Sequence, residues 1–400
     1  MSDYRAAAQA LREQLIAWRR DLHRHPELAF AERRTAGVVA AHLQQLGYEV
    51  RTGVGRTGVV GILEGDEAGP TVLLRFDMDA LPITEANAVE YASQEPGKMH
   101  ACGHDGHTAI GLGVATLLAQ ERARLRGGVK LVFQPAEESQ GGARAMIADG
   151  VLADPAPAIA LGLHLWNVAP VGQAIVRAGP LMAAATHFRL TVRGRGGHGA
   201  LPHQTVDALL VAAHLVVALQ TIVSRNVDPI QTAVLSVGTL HSGEAFNIIA
   251  ERAELTGTIR AFDDQVMALL VERLRQVVSG VAATFGATYE LELEHASPAV
   301  VNAPEVTELV ARAARRVLGE DAVGPGQPVM GSEDMAEFLA RVPGCYCLLG
   351  SQNPDRGLVY PHHNPRFDFD EEALPLGVAI LVGATMEYLG TMAAMNEFTA

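Results

Sequence analysis

Residues 187–294 carry a pattern of apolar residues that few folds can accommodate. The periods predict strands and helices in the order β-α-β-β-α-β, at 187–193, 205–224, 232–239, 251–260, 264–284 and 288–294. This is the order of the split β-α-β, ferredoxin-like unit. The breaks Gly179-Pro180 and Ser297-Pro298 flank the segment. We therefore expect a small α+β domain inserted into a larger one.

The rest of the chain alternates apolar strands with helical segments. Strands are predicted near 57–64, 71–77, 129–134 and 158–165, with helical stretches around and between them. This alternation is typical of an α/β fold whose mixed, mostly parallel sheet is sandwiched by helices. A length of 400 residues allows two or three domains. We place the boundaries at 1–182 and 297–400 for the two parts of the larger domain, and at 183–296 for the inserted ferredoxin-like domain.

Composition restricts the partners and the compartment. The net charge is −14 and no basic run occurs, which disfavours a nucleic acid or an acidic membrane surface as partner. No uninterrupted run of 18 apolar residues is present, so we expect no membrane span. Three cysteines are an odd number for a disulfide framework. The N-terminus carries charges where an export signal would be apolar. We expect a cytoplasmic protein.

Four short clusters carry residues that bind metals. Cys102 and His104 lie two apart in a glycine-rich loop, where a thiolate and an imidazole could face one ion. The adjacent Glu137 and Glu138 follow a strand, so one could bind an ion while the other serves as a general base. Each pattern alone also fits a structural role: a helix-capping turn for the first and a solvated acidic turn for the second.

The other two clusters are also ambiguous when taken singly. His164 ends an apolar strand, where a histidine is often a satisfied core residue. His362 and His363 stand together before a proline, and either could complete a site or belong to a turn. Together the four clusters supply one thiol, three histidines and a carboxylate, which is enough to hold two metal ions. A two-metal site polarises a carbonyl and activates water, which suits amide hydrolysis.

Eight motifs occur in an order that resembles one known family. They are RFDMDALP, MHACGHDGHTA, FQPAEE, GLHLWN, GGHGALPH, FNIIAERAELTGTIR, GSEDMAEF and HHNPRF. The chain resembles the amidohydrolase branch of the aminoacylase-type metallopeptidases. That branch includes hippurate hydrolases, N-acyl-amino-acid deacylases and plant indole-acetyl-amino-acid hydrolases. The likeness runs from about His23 to the C-terminus.

The resemblance implies a role for each residue of the site. Glu137 is expected to be the general base that deprotonates the attacking water. The last histidine of the family's pattern falls on His363 because Asn364, Pro365 and Phe367 follow it in the expected places. The expected metal ligands are Cys102, His104, Glu138, His164 and His363.

The same resemblance assigns the inserted domain. In this family it is a lid that also mediates dimerisation, so we expect a homodimer or homotetramer formed through it. His198 belongs to the lid motif and is expected to bind the substrate or the oxyanion, in its own or in a partner subunit. Asn247 and Arg260 are expected to bind a carbonyl or carboxylate, since an arginine offers a planar fork to a free carboxylate.

We therefore predict metal-dependent hydrolysis of N-acyl amino acids, such as N-acetyl or N-benzoyl conjugates. The products are a carboxylic acid and a free amino acid. Two divalent ions are expected per subunit, with zinc or manganese favoured and cobalt or nickel acceptable to the same ligands. Two alternatives stay open. One is a dipeptidase or carboxypeptidase on the same scaffold, and the other is a non-catalytic protein that binds metal or amino acids.

Overall fold

A computed structural model describes residues 3–138 and 141–399 of the chain. Its α-helices, in chain order, are α1 (Tyr4–Ala10), α2 (Arg12–Arg24), α3 (Arg33–Gln45), α4 (His104–Gln120), α5 (Gly142–Ala148), α6 (Ala208–Asn226), α7 (Asp264–Phe285), α8 (Pro304–Leu318), α9 (Met335–Leu339) and α10 (Ala373–Thr399). Short 3-10 helices occur at Arg122–Arg124, Pro202–Gln204, Glu320–Ala322 and Pro354–Arg356.

The β-strands are β1 (Glu49–Val54), β2 (Gly58–Glu64), β3 (Glu67–Asp77), β4 (Arg126–Gln134), β5 (Pro157–Pro170), β6 (Ala174–Ile175), β7 (Gly179–Met182), β8 (Ala184–Arg193), β9 (Gly197–His198), β10 (Ala233–Ser242), β11 (Ile248–Ile249), β12 (Arg252–Ala261), β13 (Thr288–Ser297), β14 (Val300–Asn302), β15 (Val323–Gly324) and β16 (Gly344–Gln352).

The described chain divides into two compact units. The first comprises residues up to Leu181 together with Val300–Gln327 and the segment from Asp334 onward. The second comprises Met182–Ala299 and Pro328–Glu333. The sequence assigned 328–333 to the second part of the larger domain, and the structure groups this short segment with the other unit.

The first unit contains an eight-stranded mixed sheet in the order β1-β2-β4-β3-β5-β16-β6-β15. Its centre is parallel, because β3 pairs in parallel with both β4 and β5, and β5 pairs in parallel with β16. Helices flank it: α4 and α10 pack together beside β3, and α5 and α9 pack together beside β4 and β5. Strands β3 to β5 are buried apolar runs, as parallel strands covered on both faces must be.

The register of the parallel strands aligns their polar ends. Asp77, the last residue of β3, pairs with Gln134, the last residue of β4. Arg75 pairs with Gly162 of β5, so His164 lies at the level of Asp77 in the next strand. The carboxyl ends of adjacent parallel strands form the usual ligand crevice of such sheets. A functional site in this unit is therefore expected at this edge.

The second unit has a four-stranded antiparallel sheet in the order β10-β12-β8-β13. With α6 and α7 it has the ferredoxin-like connectivity that the sequence predicts. Helix α6 begins after Asp207 and α7 after Asp263, and each of these aspartates accepts hydrogen bonds from the first backbone N–H groups of its helix. The inner faces of α6, α7 and the sheet form a separate apolar core.

Two described helices, Ala208–Asn226 and Ala373–Ala393, are long and apolar enough to cross a membrane by length and composition. A search of the sequence for an uninterrupted apolar run does not detect these helices, because polar residues such as His214 interrupt α6. In the second helix 67% of the span is buried, and it packs on α4 and α8 as a core helix does. In α6 only 33% is buried, and Val217 is 70% exposed on its outer face. Two helices of this kind are weak evidence for a membrane span.

Candidate metal centre

The glycine-rich loop before α4 and the first turn of this helix place a thiol and two histidines at the crevice. Helix α4 begins at His104, and Gly103 precedes it with a φ of 92°, which favours glycine. His104 and His107 are three apart in the first turn, so their side chains lie on the same face of the helix. Cys102, His104 and His107 are all buried. The loop therefore turns its chemical groups inward.

Three potential ligands converge at this loop. Cys102, His104 and His164 each place one ligand atom within 4.8 Å of the others. The Sγ of Cys102 lies 3.5 Å from Nε2 of His164. All three are buried, and a thiolate with two imidazoles is a donor set suited to zinc and similar borderline divalent ions.

A second group shares the same cysteine. Cys102, Glu138 and His363 also place their ligand atoms within 4.8 Å of one another. Nε2 of His363 lies 3.2 Å from Oε1 of Glu138. His363 has a φ of 64°, a left-handed backbone that a non-glycine residue rarely adopts, and its N–H donates to the carbonyl of Ala101. Because Cys102 belongs to both groups, this arrangement fits two neighbouring ions with a shared thiolate.

The hydrogen bond that His104 makes through Nδ1 leaves its Nε2 available to an ion. Nδ1 of His104 lies 2.9 Å from the carbonyl oxygen of Asp79, which can only accept, so Nδ1 carries a proton. Nε2 of His104 is buried and has no hydrogen-bond partner among the described residues. Buried polar atoms are almost always satisfied. A metal ion at this point would satisfy the nitrogen, so the residues present fit the implied metal.

The electrostatics of the cluster also favour a cation. Burial, and then Glu138 and Glu137, raise the pKa of the Cys102 thiol well above its usual value. Burial lowers the pKa of His104, but Asp77, Asp79 and Glu138 outweigh it and raise this pKa to about 10. The metal-free site therefore holds protons on Cys102 and His104 among carboxylates. Metal ions would replace these protons, so metal binding should release them to solvent.

The pKa of His164 shifts in the opposite direction to that of His104. Burial, and then His107 and His362, lower the pKa of His164 well below its usual value. Its imidazole is therefore neutral, which is the form that binds metals.

The carboxylate of Asp79 holds the backbone of Glu137 and Glu138. The backbone N–H groups of Glu137 and Glu138 donate to Oδ1 and Oδ2 of Asp79, both at 3.0 Å. Since the carbonyl of Asp79 also accepts from His104, this one residue positions both sides of the centre. One ligand atom each of Glu137, Glu138 and His104 lies within 4.8 Å of the others. This geometry is compatible with the predicted division of roles, in which Glu138 binds an ion and Glu137 serves as the base.

Sequence analysis gave no role to Glu32, which supports the turn that precedes Glu137. Glu32 is fully buried at the start of α3, and its Oε1 accepts from the backbone N–H of Ala136 at 2.9 Å and of Phe30 at 3.0 Å. Its Oε2 accepts from the hydroxyl of Thr57 at 2.5 Å. Ala136 precedes Glu137 and has a φ of 53°. A charged residue in an exposed-looking AERR segment gave no signal of this role.

A buried arginine anchors the start of α4. Arg19 of α2 is fully buried and forms ion pairs with Asp105 at 2.8 Å, Asp368 at 2.7 Å and Glu371 at 3.2 Å. Asp105 is the residue after His104. Breaking a buried ion pair leaves an uncompensated charge and is strongly destabilising. This cluster therefore ties α2 and the 368–371 segment to the loop that carries Cys102 and His104.

The three predicted substrate-binding residues lie in the second unit. His198 in β9 pairs with Ile248 of β11, and the N–H of Gly199 donates to the carbonyl of Asn247 at 2.8 Å. The structure therefore brings His198 and Asn247 together, and both are exposed. A side chain at Gly199 would approach the carbonyl of Asn247 to 2.9 Å, so this pairing needs glycine.

Arg260 lies elsewhere in that unit, on β12 opposite Ala185 of β8. Its Nη1 donates to the carbonyl of Met330 at 2.9 Å and to Oγ of Ser332 at 3.3 Å. It is half-buried, and burial lowers its pKa from the usual value while leaving it charged at neutral pH. Neutral partners orient its guanidinium without neutralising it.

The model of peptidase family M20/M25/M40 matches residues 73–387 of this chain. The chain belongs to this family. The candidate ligands and Glu137 all lie within the matched region, whereas the supporting residues Arg19 and Glu32 precede it. This agrees with the resemblance inferred from the ordered motifs.

Curated relatives share most of their length with the chain. A Bacillus subtilis protein provisionally named amidohydrolase YhaA is 45% identical over 379 residues, which cover 94% of this chain and 95% of that protein. Thermostable carboxypeptidase 2 of Saccharolobus solfataricus is 41% identical, with coverage of 91% and 92%. The N-acetyl-L-cysteine deacetylase of Bacillus subtilis is 39% identical, with coverage of 91% and 85%.

A solved structure shares the fold. The YXEP protein of Bacillus subtilis, described as a dinuclear metal binding peptidase, superposes with a TM-score of 0.83 at 33% identity. The match covers 96% of this chain and 99% of that one. With the relatives above, it identifies the chain as a hydrolase that acts on amides.

Proposed function

We propose that this protein hydrolyses the amide bond of N-acyl amino acids with the help of two divalent metal ions. The observation that carries the proposal is the pair of ligand groups that share Cys102, one with His104 and His164 and the other with Glu138 and His363. The relative named as an N-acetyl-L-cysteine deacetylase supports the substrate class. Zinc or manganese suits this set of thiolate, imidazole and carboxylate donors, and cobalt or nickel could replace them.

The proposed chemistry divides the work between the two adjacent glutamates. Divalent ions bound at the centre would lower the pKa of a water molecule and polarise the substrate carbonyl. Glu138 serves as a ligand, which leaves the carboxylate of Glu137 to take the proton of the attacking water. Glu137 then gives a proton to the nitrogen of the leaving amine as the amide bond breaks. Asp79 holds both backbone N–H groups, so the two carboxylates keep their separate directions.

His198, Asn247 and Arg260 are proposed to bind the substrate. Nδ1 of His198 accepts from the backbone N–H of Ala200 at 3.0 Å, so the neutral ring carries its proton on Nε2. His198 therefore presents a hydrogen-bond donor, which suits a carbonyl oxygen that becomes negatively charged. Arg260 offers a cation to the free carboxylate of the amino acid.

We also propose that the second unit acts as a lid and as a dimerisation surface, giving a homodimer or homotetramer. Exposed apolar side chains on this unit, among them Leu209, Leu210 and Val217 of α6, support an interface there. The proposed compartment is the cytoplasm. The cysteines, Cys102, Cys345 and Cys347, are free thiols, as a reducing compartment would keep them.

A substrate panel tests the proposal. Release of free amino acid is measured from N-acetyl, N-benzoyl and indole-acetyl amino acids and from simple dipeptides, first with chelated protein and then after addition of Mn²⁺ or Zn²⁺. We expect metal-dependent release from the acyl conjugates. Glu137→Gln should keep the metal content and the fold and lose most of the turnover. A Glu137→Gln variant with nearly the wild-type rate would remove Glu137 from the role of base.

A peptidase is the second candidate, because a relative of 41% identity is named as a carboxypeptidase. Release of amino acid from dipeptides alone would favour this candidate. Binding of N-acyl amino acids without turnover, with both ions bound, would instead indicate a non-catalytic binding protein.

A further inference from the structure

The backbone N–H and C=O of one residue in β5, Leu165, contact three histidines beside the metal centre. The N–H of Leu165 donates to Nε2 of His107 at 2.8 Å. The carbonyl oxygen of Leu165 lies 2.7 Å from Nδ1 of His164 and 2.9 Å from Nε2 of His362. His107, His164 and Leu165 are at least 95% buried, so water does not compete for these hydrogen bonds. The backbone of Leu165, through the two peptide groups that flank its Cα, therefore connects the three rings.

The chemistry of a peptide group fixes the position of each proton. A backbone N–H can only donate, so Nε2 of His107 carries a lone pair and the proton of this ring is on Nδ1. That proton is donated to Oδ1 of Asp77, whose oxygen lies 2.6 Å away. A carbonyl oxygen can only accept, so His164 carries its proton on Nδ1 and its lone pair on Nε2. Nε2 of His164 is the atom that lies 3.5 Å from the thiol of Cys102.

Asp77, which accepts the hydrogen bond from His107, is itself held in place by Arg75. The other oxygen of Asp77 accepts from Nη1 of Arg75 at 2.6 Å, and Arg75 also donates to Gln134 and Asp334, both at 2.8 Å. Asp77 and Arg75 are buried, so the ion pair is not screened by solvent. Asp77 can therefore hold the ring of His107 in one orientation.

The same contacts exclude another ligand set. Asp77, His104 and His107 also bring ligand atoms within 4.8 Å of one another. Both nitrogens of His107 are engaged, however, one with Asp77 and one with the Leu165 N–H. An ion could bind His107 only if one of these two buried hydrogen bonds were broken. His107 thus stands outside the ligand set although it lies in the same motif as Cys102 and His104.

We propose that His107 is a positioning residue: it holds the backbone of Leu165, whose carbonyl in turn fixes the tautomer and orientation of His164. The proposal deepens the metal centre described above and rests on it. Partners of this kind orient metal-binding histidines in many proteins, and their loss typically weakens metal binding by about 10- to 100-fold. His164 belongs to only one of the two groups that share Cys102. Loss of His107 should therefore weaken one ion more than the other.

Two substitutions separate positioning from packing. His107→Leu fills much of the space and leaves the Leu165 N–H without an acceptor. His107→Gln can place an amide oxygen where Nε2 lies and so restores the acceptor. His42→Leu is the matched control, because His42 is a half-buried histidine of α3 that contacts Thr116 and takes no part in the centre.

The first measurement is metal content and affinity, by titration of chelated protein with Zn²⁺. Wild type and His42→Leu should bind two ions, and His107→Leu should bind one of them about 10- to 100-fold more weakly. His107→Gln should recover most of that affinity. Equal affinities for both ions in His107→Leu and wild type would overturn the proposal. A wild type that binds two ions and hydrolyses no amide would overturn the proposed function and leave this inference standing.

The second measurement needs neither metal nor a variant. In metal-free protein labelled with ¹⁵N-histidine, long-range ¹H–¹⁵N correlations report which ring nitrogen carries the proton. We expect Nδ1 to be protonated and Nε2 unprotonated in both His107 and His164. Protonation of His107 at Nε2 would contradict the proposal even if His107→Leu failed to fold.

Discussion

Substitution of Glu32 tests how the turn that precedes Glu137 is held. Its Oε1 accepts from Phe30 and Ala136, whose φ angles of 58° and 53° are both left-handed. A non-glycine residue in that conformation costs about 1–3 kcal/mol and persists only where its surroundings enforce it. One carboxylate oxygen thus holds two unfavourable backbone conformations, and the second of them comes directly before Glu137.

Replacement of Glu32 by alanine should be costly. The N–H of Ala136 is fully buried and would lose its only described partner, at about 1–3 kcal/mol. Phe30 and Thr57 are half-buried and would each lose a hydrogen bond worth about 0.5–1.5 kcal/mol. We expect Glu32→Ala to lower the free energy of unfolding by about 2–6 kcal/mol. Turnover should also fall, because Glu137 follows the released residue.

Glutamine at the same position is the matched control. Glu32→Gln keeps an oxygen for Phe30 and Ala136, and the Thr57 hydroxyl can turn to accept from the new amide. Burial raises the pKa of Glu32, so the ionised carboxylate is less favourable in the folded chain than in the unfolded one. The stability linked to its protonation is present below the unfolded pKa and lost as pH rises through the folded pKa. Glu32→Gln should therefore be at least as stable as wild type at pH 7 and lose this advantage near pH 4.

Urea unfolding followed by circular dichroism at pH 7 and pH 4, with turnover of the best substrate, measures both effects. Unfolding of Glu32→Ala at the wild-type urea concentration would refute the supporting role of Glu32. Equal destabilisation by Glu32→Gln and Glu32→Ala would refute it as well, because the hydrogen-bond acceptor would then not be the property that matters.

Two further predictions concern charge. Burial opposes the ionisation of Asp368, but Arg19 and Tyr91 outweigh it and hold the pKa of this carboxyl below its usual value. The stability that the ionised carboxylate provides is present above the unfolded pKa of about 4 and is lost as pH falls through the folded pKa. Asp368→Asn should therefore cost about 1–3 kcal/mol at pH 7 and much less at pH 3 in urea unfolding, and a constant difference between the two pH values would contradict the ion pair. Arg260→Ala should lower kcat/KM about 10- to 100-fold for substrates with a free carboxylate, since a charged hydrogen bond is worth about 1.5–3 kcal/mol. Steady-state rates with a carboxamide analogue are the control, and an equal loss for both substrates would refute carboxylate binding.

The sequence predicts the layout of strands and helices well where apolar periods are strong. The six elements of the second unit and the buried strands β3, β4 and β5 occur where the pattern indicates. The N-terminal helical segment divides into α1 and α2 at Leu11. Strand β1 was not expected, because Glu49–Val54 lies at the edge of the sheet and its residues are largely exposed.

The site was predictable as a set of residue types and less so as a structure. The order of the motifs, and no single cluster, predicted Cys102, His104 and Glu138 as ligands, and the structure places their ligand atoms close together. The supporting groups were not predictable, because they act through backbone hydrogen bonds: Glu32 accepts from the N–H of Ala136, and the N–H of Leu165 donates to His107. A main-chain N–H or C=O has no signature in a sequence, and only the fold shows which side chain receives it.

The insertion of the second unit has a consequence for biosynthesis. Strand β5 pairs with β16, and His164 lies opposite Leu348, about 180 residues later in the chain. At roughly 5–20 residues per second on the ribosome, about 10–40 s pass between the synthesis of His164 in β5 and that of Leu348 in β16. The inserted unit is contiguous but for one short segment, so it can begin to fold during this interval. His363 emerges later still, so the proposed metal centre cannot be assembled before that point, and a chain released before β16 is made carries an exposed strand edge that invites aggregation.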